Sequence, residues 1–483
     1  MALMSRDDYI ESLRGMNKRV FIMGQEVTNP VDHPLVRPSL NACAMTYELA
    51  RQPEYAGLML ATSNLTGQTV NRFTHLHQST ADLVAKVKMQ RLLGQMTGCC
   101  FQRCVGLDAL NALDSVTYDM DQALGTRYHA TFRHYLRQVQ ERDLVVDGAM
   151  TDAKGDRQLR PSQQADPDLF VHIVEKTSDG LVVRGAKLHQ TGALNSHEII
   201  VMPTQTLSEK ERDYAVAFAV PADAPGIVMV YGRQPSDTRR LEDSQLDVGN
   251  PQFGGHEAVI ILDDVFVPWE RVFMAGEYAF SGLLVERFAG YHRQSYGGCK
   301  TGVGDVLIGA AQAVAQAQGT DKASHIKDKI VEMIHLNETM YACGIACSAE
   351  GQATASGTYL VNLLLANVCK LNVTRFPYEI ARLAQDIAGG LLVTLPSEKD
   401  LAHPEVGPYL KKYLHSVDRY TTEERCRMLR LMENLTLGPG AAAYLTESMH
   451  GAGSPQAQRI MLARLADLEE KVRLARRLAG IEQ

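Results

Sequence analysis

The stretch Asp168–Gly192 reads DLFVHIVEKTSDGLVVRGAKLHQTG, and there the chain changes character. Its Val, Ile, Leu and Phe runs are broken by an Asp-Gly pair, the pattern of strands joined by a turn. HEIIVMPT from His197, YAVAFAVPADAPGIVMVYGR from Tyr214 and HEAVIILDDVFVPWERVFM from His256 continue it. Outward from this middle, both flanks carry helical spacing. From Arg6 to about Glu141 the pattern is mostly helical, apart from a Pro-bearing, loop-like stretch between Asn29 and Ser39. In DLVAKVKMQRLL (Asp82–Leu93), for example, Leu83, Val84, Val87 and Leu92 fall at helical intervals. From Tyr278 onward, Gly- and Ala-rich segments lead to a last helix starting at Ser454-Pro455, where Ser can cap and Pro suits the first turn. Met461, Leu465, Leu468, Val472 and Ala479 keep its stripe. The expectation is an α+β chain in three parts: a helical domain over 1–143, a β domain over 144–276 and a helical bundle over 277–483.

The bundle holds a dense group of reactive side chains, GYHRQSYGGCKTG at Gly290–Gly302. His292, Tyr296 and Cys299, spaced i, i+4 and i+7, put an imidazole, a phenol and a thiol on one helical face. Gly297 and Gly298 remove two side chains, so something bulky can approach the backbone. Lys300 adds a cation beside the thiol. A packing helix with a core histidine and a small apolar Cys would carry the same residue types, so partners must come from elsewhere. GCCFQRCVG at Gly98–Gly106 supplies them: on a helix, Cys100 and Cys104 face one way and Cys99 points about 100° aside. With His292 and Cys299 they make a Cys3His set, which suits a structural zinc or an iron–sulfur cluster. Cys343 and Cys347 in CGIAC have the same spacing but no His or further Cys close in sequence, and are read as helix packing.

The chain has 483 residues, 22% charged and 45% hydrophobic, with a net charge of -7, enough for two or three domains and no reason to expect nucleic-acid binding. The N-terminus MALMSRDDYIESLRGMNKRV lacks the apolar core of a signal peptide, and no run of about 18 apolar residues occurs. A soluble, cytoplasmic protein without a membrane partner is expected. Its nine cysteines are then thiols or metal ligands rather than a disulfide framework.

The order helices, strands, helices resembles the acyl-CoA dehydrogenase fold and its relatives, the flavin-dependent hydroxyphenylacetate monooxygenases. AMTDAKGDR (Ala149–Arg157) resembles the T-E-P-x-x-G-S-D segment of the dehydrogenases, AKLHQTG (Ala186–Gly192) their second flavin-contacting strand, and QDIAGG (Gln385–Gly390) their Q-x-x-G-G segment. The resemblance implies FAD, with contacts from Met150, Thr151, Asp152, Asp156 and Arg157, from His189, Gln190 and Thr191, and from Gln385, Gly389 and Gly390.

A narrower resemblance covers nearly the full length. VDHPLVRPSLNACAMTYELA, CFQRCVG, VDGAMTD, ERFAGYHRQSYGGCK, LNETMYACGIACSAEG and TESMHGAGSPQAQRIM are similar to motifs of the 4-hydroxybutyryl-CoA dehydratase family. It implies a 4Fe-4S cluster on Cys100, Cys104, His292 and Cys299, with Cys99 an added neighbour that could replace Cys100. It also implies a CoA thioester substrate and a homotetramer. His292 and Tyr296 would transfer protons or bind the leaving hydroxyl, Glu447 would be a catalytic glutamate, and Glu257 and Lys300 further site residues. The implied chemistry is dehydration of 4-hydroxybutyryl-CoA to crotonyl-CoA through a transient one-electron oxidation by FAD, with isomerisation of vinylacetyl-CoA. Two other readings remain: a flavin monooxygenase on the same fold, and a non-catalytic protein with a structural Cys3His zinc. Asp400–Thr422 matches the family poorly and is given no role.

Overall fold

A computed structural model describes residues 3–481. The β-rich middle forms two sheets. One has six strands in the order Gln25–Val27, Val20–Ile22, Ile227–Tyr231, Glu257–Pro268, Gly180–Thr191, His172–Lys176; the other has Val272–Ala275, Val216–Pro221, Glu198–Val201, Val146–Ala149. Along Glu257–Pro268 burial alternates at first, with Ala258, Ile260 and Leu262 inside, as expected of a strand with one face on a core. Two of the six strands come from the N-terminal helical region, Val20 lying opposite Met229 in parallel pairing. The stretch read as a loop between Asn29 and Ser39 instead holds the short helix Pro30–Asp32 and the start of helix Arg37–Ala50. Pro38, in that first turn, needs no backbone donor. The segments pack into one apolar cluster in which Leu40 and Tyr47 meet Val183, Phe218 and Ile260.

Six helices position the site: α1 (Thr80–Thr97), α2 (Cys104–Leu124), α3 (Ser281–Gln318), α4 (Ser324–Ala349), α5 (Leu363–Val373) and α6 (Phe376–Ala388). Gly297 and Gly298 of α3 are explained by other helices. A Cβ on Gly298 would stand 2.5 Å from the Val87 carbonyl of α1, and one on Gly297 would stand 2.8 Å from Gly344 Cα of α4. Both neighbours are backbone and could not give way, so α3 is clasped on two sides at the turn before Cys299.

Two further expectations are corrected. Cys100 and Cys104 do not share a helix: residues 99–103 form a bent link between α1 and α2, with Gln102 at φ 60, and Cys104 opens α2. The last helix is broken into Pro455–Leu465 and Leu468–Leu478. Asp467 sits between them at φ 43 and its carboxylate caps the second through the Glu470 N–H, so the stripe does not continue. No described helix is long and apolar enough to cross a membrane.

Candidate active site

α3 carries one wall of the site. The His292 ring stands edge-on to Tyr296, centroids 5.2 Å apart, and stacks on Phe288 at 5.6 Å. His292 Nδ1 lies 2.8 Å from the Asp108 carboxylate on α2. A carboxylate only accepts, so Nδ1 donates to Asp108 and the ring is held in one orientation, the second-sphere arrangement of a metal-binding histidine. Asp108 is wholly buried and is held in turn by Lys86 of α1 and by the Ser295 hydroxyl at 3.1 Å. Lys86 also donates to the Tyr291 carbonyl and the Gln294 side chain, both at 3.0 Å, so each member of this buried network is satisfied.

Against that wall stand the thiols. Cys100, Cys104 and Cys299 are free and buried. Burial pushes the Cys100 and Cys104 thiols far above their usual range, and each is raised further by other thiols of the set. The Cys99 thiol, pushed up to about 12 by burial, is directed elsewhere: it reaches the Gly254 carbonyl at 3.5 Å. Cys99 nonetheless shares the lining of one narrow cavity with Cys100, Cys299 and Lys300. Among the described residues no three His, Cys, Asp or Glu converge as the ligands of a single metal ion would. A cubane cluster makes a different demand, one ligand at each of four separate iron corners, and three thiols with an oriented imidazole are the right donors for it. The donor set fits that group. The CGIAC pair faces packing partners instead, Cys347 donating to Gly344 and Cys343 accepting from Asn372.

The second wall comes from Glu447, which follows a π turn at Ala442–Thr446. Such turns re-aim a helix locally and recur at functional sites. Lys300 crosses from α3 to this segment, donating to the Ala443 carbonyl at 2.6 Å and to Glu447 at 2.9 Å. Burial is the largest influence on Glu447 and would raise it, but the Lys300 ammonium and the hydrogen bonds from Glu257 and Lys300 together outweigh it and keep the carboxyl below its usual range. Glu257 hydrogen-bonds Glu447 from the β domain, and burial together with the Glu447 charge pushes its carboxyl far up. The Thr191 hydroxyl donates to Glu257 at 2.7 Å, from the paired strand.

The chain matches the profile of 4-hydroxyphenylacetate 3-hydroxylase, N terminal, over residues 5–274 and the C-terminal profile over 281–480. It is 60% identical to the 4-hydroxybutyryl-CoA dehydratase/vinylacetyl-CoA-Δ-isomerase of Clostridium aminobutyricum, over 99% of this chain and 100% of that protein. The chain belongs to the 4-hydroxybutyryl-CoA dehydratase/vinylacetyl-CoA-Δ-isomerase family. The structure of an oxygen-tolerant archaeal 4-hydroxybutyryl-CoA dehydratase from N. maritimus superposes with a TM-score of 0.98 at 58% identity, covering 100% of this chain and 96% of that one. The oxygenase component of 4-hydroxyphenylacetate 3-monooxygenase, solved with FAD, shares the fold at 24% identity and a TM-score of 0.86, covering 99% and 100%.

The dehydratase-family motifs thus bring His292, Tyr296, Cys299, Lys300, Glu257 and Glu447 to one place, beside Cys100 and Cys104. The residues expected on FAD fall into two groups. Thr151 accepts from the Leu188 N–H at 2.8 Å, joining the segment of Met150, Asp156 and Arg157 to the strand of His189 and Gln190. Within it, the Asp152 carboxylate is taken by Lys187 at 2.7 Å and the Thr191 hydroxyl by Glu257, so both are occupied inside the protein. His189 is held at φ 59, its charge opposed by burial and then by Lys154, His450 and Arg157. Gln385, Gly389 and Gly390 instead close α6 in the bundle; among the described residues no hydrogen bond or ion pair joins them to the first group. A Cβ on Gly389 or Gly390 would meet nothing within 4 Å. Three residues of the site went unread in the sequence: Asp108, Lys86 and Lys370, whose Nζ stands 4.6 Å from the centre of the Tyr296 ring. Asp108 had a signal, an acidic residue one turn after Cys104 in the apolar run VGLDALNAL. Lys86 and Lys370 had none.

Proposed function

We propose that this chain dehydrates 4-hydroxybutyryl-CoA reversibly to crotonyl-CoA and isomerises vinylacetyl-CoA to crotonyl-CoA, with FAD and a 4Fe-4S cluster as cofactors. The observation that carries this is the meeting of the buried thiols and the Asp108-oriented His292 with the Glu257–Glu447–Lys300 group. When bound, FAD would supply a transient one-electron oxidation of the substrate and the cluster a Lewis-acidic iron for the departing hydroxyl.

The chain's own residues divide the remaining work. Cys100, Cys104 and Cys299 would hold three corners of the cluster and His292 Nε2 the fourth, a ligand easier to displace than a thiolate. Glu447, ionised beside Lys300, is placed to take a proton from the acyl carbon chain; Glu257, kept protonated, is placed to hold or return one. Tyr296, whose phenol burial holds protonated, can donate a hydrogen bond to a departing hydroxyl. Cys100, Cys104, Cys299, Tyr296 and Lys300 are buried and keep bulk water from that side, whereas His292, Glu257 and Glu447 are only partly buried. A homotetramer is the proposed working assembly, and the exposed Leu468, Val472 and Leu478 of the last helix offer apolar surface for contacts between copies.

The test is an absorption spectrum with iron, sulfide and zinc analysis on anaerobically purified protein, followed by assay with both thioesters. A flavin band, about four irons with four sulfides per chain and crotonyl-CoA formation are expected. Flavin without iron, together with hydroxylation of a phenol, would instead identify a monooxygenase, and zinc in a colourless protein a structural site.

A further inference from the structure

Five lysines are buried among the described residues: Lys18, Lys86, Lys187, Lys300 and Lys370. Lys86, Lys187 and Lys300 each face a carboxylate, and Lys18 donates to the Leu194 and Ser196 carbonyls at 2.8 Å and 2.6 Å. Lys370 on α5 is held differently. Its Nζ donates to the Ser448 carbonyl at 2.5 Å and stands 4.6 Å from the centre of the Tyr296 ring. Burial, reinforced by the charges of Lys300 and Arg293, pulls its pKa down to about 7. A buried amine with no carboxylate partner is costly in its charged form, and Lys370 differs from Lys18 in that it lies over an aromatic ring.

What it holds is visible around Tyr296. Lys370 covers the ring, with Lys300 also near it at 5.3 Å. At the hydroxyl end the phenol abuts Gly451, where a Cβ would overlap the oxygen. Gly451 in turn ends the short helix Glu447–His450, its N–H donating to the Glu447 carbonyl at 2.8 Å. The cation–π contact is strongest when desolvated, as here, and the Ser448 carbonyl keeps the ammonium from swinging away.

We propose that Lys370 is a positioning residue for Tyr296: anchored on Ser448, its ammonium presses the phenol ring into the place from which the hydroxyl reaches the reacting centre. The inference rests on the reaction proposed above. Lys370 touches no reacting atom on this account and acts only through the phenol.

Lys370→Met keeps the length, removes charge and donor, and strands no buried carboxylate; Lys370→Leu serves as a second variant of the same kind. The holoenzyme of either is expected to lose about 10-fold to 100-fold in kcat for dehydration, the cost of a misplaced group, with KM changed less than about twofold. In a Tyr296→Phe background the further loss should shrink below about twofold, because the hydroxyl being positioned is gone. Unchanged kcat in the single variants, or an undiminished loss on Tyr296→Phe, overturns the proposal. An anaerobic crystal structure of Lys370→Met gives a readout independent of turnover: Tyr296 displaced from Gly451 supports it and an unmoved phenol overturns it. If the unmodified holoenzyme converts neither thioester, the reaction assignment fails, and that structure still decides the role of Lys370.

Discussion

Glu257 and Glu447 hydrogen-bond to each other across the meeting of the β domain and the bundle, and their surroundings drive them to opposite protonation states. Two carboxylates cannot share a hydrogen bond unless one keeps a proton. Lys300, 2.9 Å from Glu447, decides which. The ammonium fixes the charge on Glu447, and that charge with burial fixes the proton on Glu257, so the pair titrates as one unit.

Glu447→Gln removes the ionised partner and should depress both dehydration and isomerisation by at least about 100-fold, the usual size of a general-base effect. Glu257→Gln replaces a neutral acid by a neutral amide and should lose less, on the order of tenfold, also in both activities. Anaerobic assays of flavin-replete variants with both thioesters compare them. A larger loss for Glu257→Gln would reverse the assignment of base and acid.

Cys104→Ala and Cys299→Ala should lose iron, because a cubane missing a thiolate is left with a labile corner. Asp108→Asn should weaken iron retention by about 10-fold to 100-fold through the freed His292 ring, as loss of an orienting partner does at metal sites. Cys343→Ala should keep its iron. Iron analysis and competition with a chelator read all four, and full iron content in Cys104→Ala or Cys299→Ala would remove that residue from the ligand set.

Moving the double bond of vinylacetyl-CoA needs proton transfers but no departing hydroxyl, whereas dehydration also needs the cluster iron. Cys299→Ala, kept folded and flavin-loaded, should therefore abolish dehydration while retaining some isomerisation. Equal loss of both would show that the cluster wall also serves the isomerase step.

Asp147, buried beside Gly148, has its carboxyl raised to about 7 by burial, against the opposing Gly148 N–H and Lys18. Its Oδ2 has no hydrogen-bond partner, as suits a protonated acid. Because the folded state holds this proton more tightly than the unfolded one, stability falls as pH rises from the unfolded value of about 4 to about 7, and the penalty stays constant above. Asp147→Asn cannot ionise, so its apparent Tm should exceed that of the unmodified chain at pH 8 and match it at pH 4. A gain that is the same at both pH values would refute the ionisation account.

By itself the sequence determined a good deal: the β-rich middle between helical flanks, because period-two and period-3.6 patterns are local properties of the chain, and the family, with the candidate ligand and catalytic side chains its motifs name, because long motifs carry residue identity whatever the packing. His292, Tyr296 and Cys299 at helical spacing were bound to share a face once the segment was a helix. Tertiary structure alone decided the rest, since it depends on contacts across large separations in the chain. The bent link at Cys100, the two N-terminal strands completing a β-domain sheet and the break at Asp467 all override local periodicity. Gly297 and Gly298 looked like room for a ligand, and only the crossing of α1 and α4 shows that backbone fills it. Most of all, which glutamate is charged could not be read from TESMHG or GGHEAV: that follows from where Lys300 places its ammonium, on an element about 150 residues away from Glu447 in the chain.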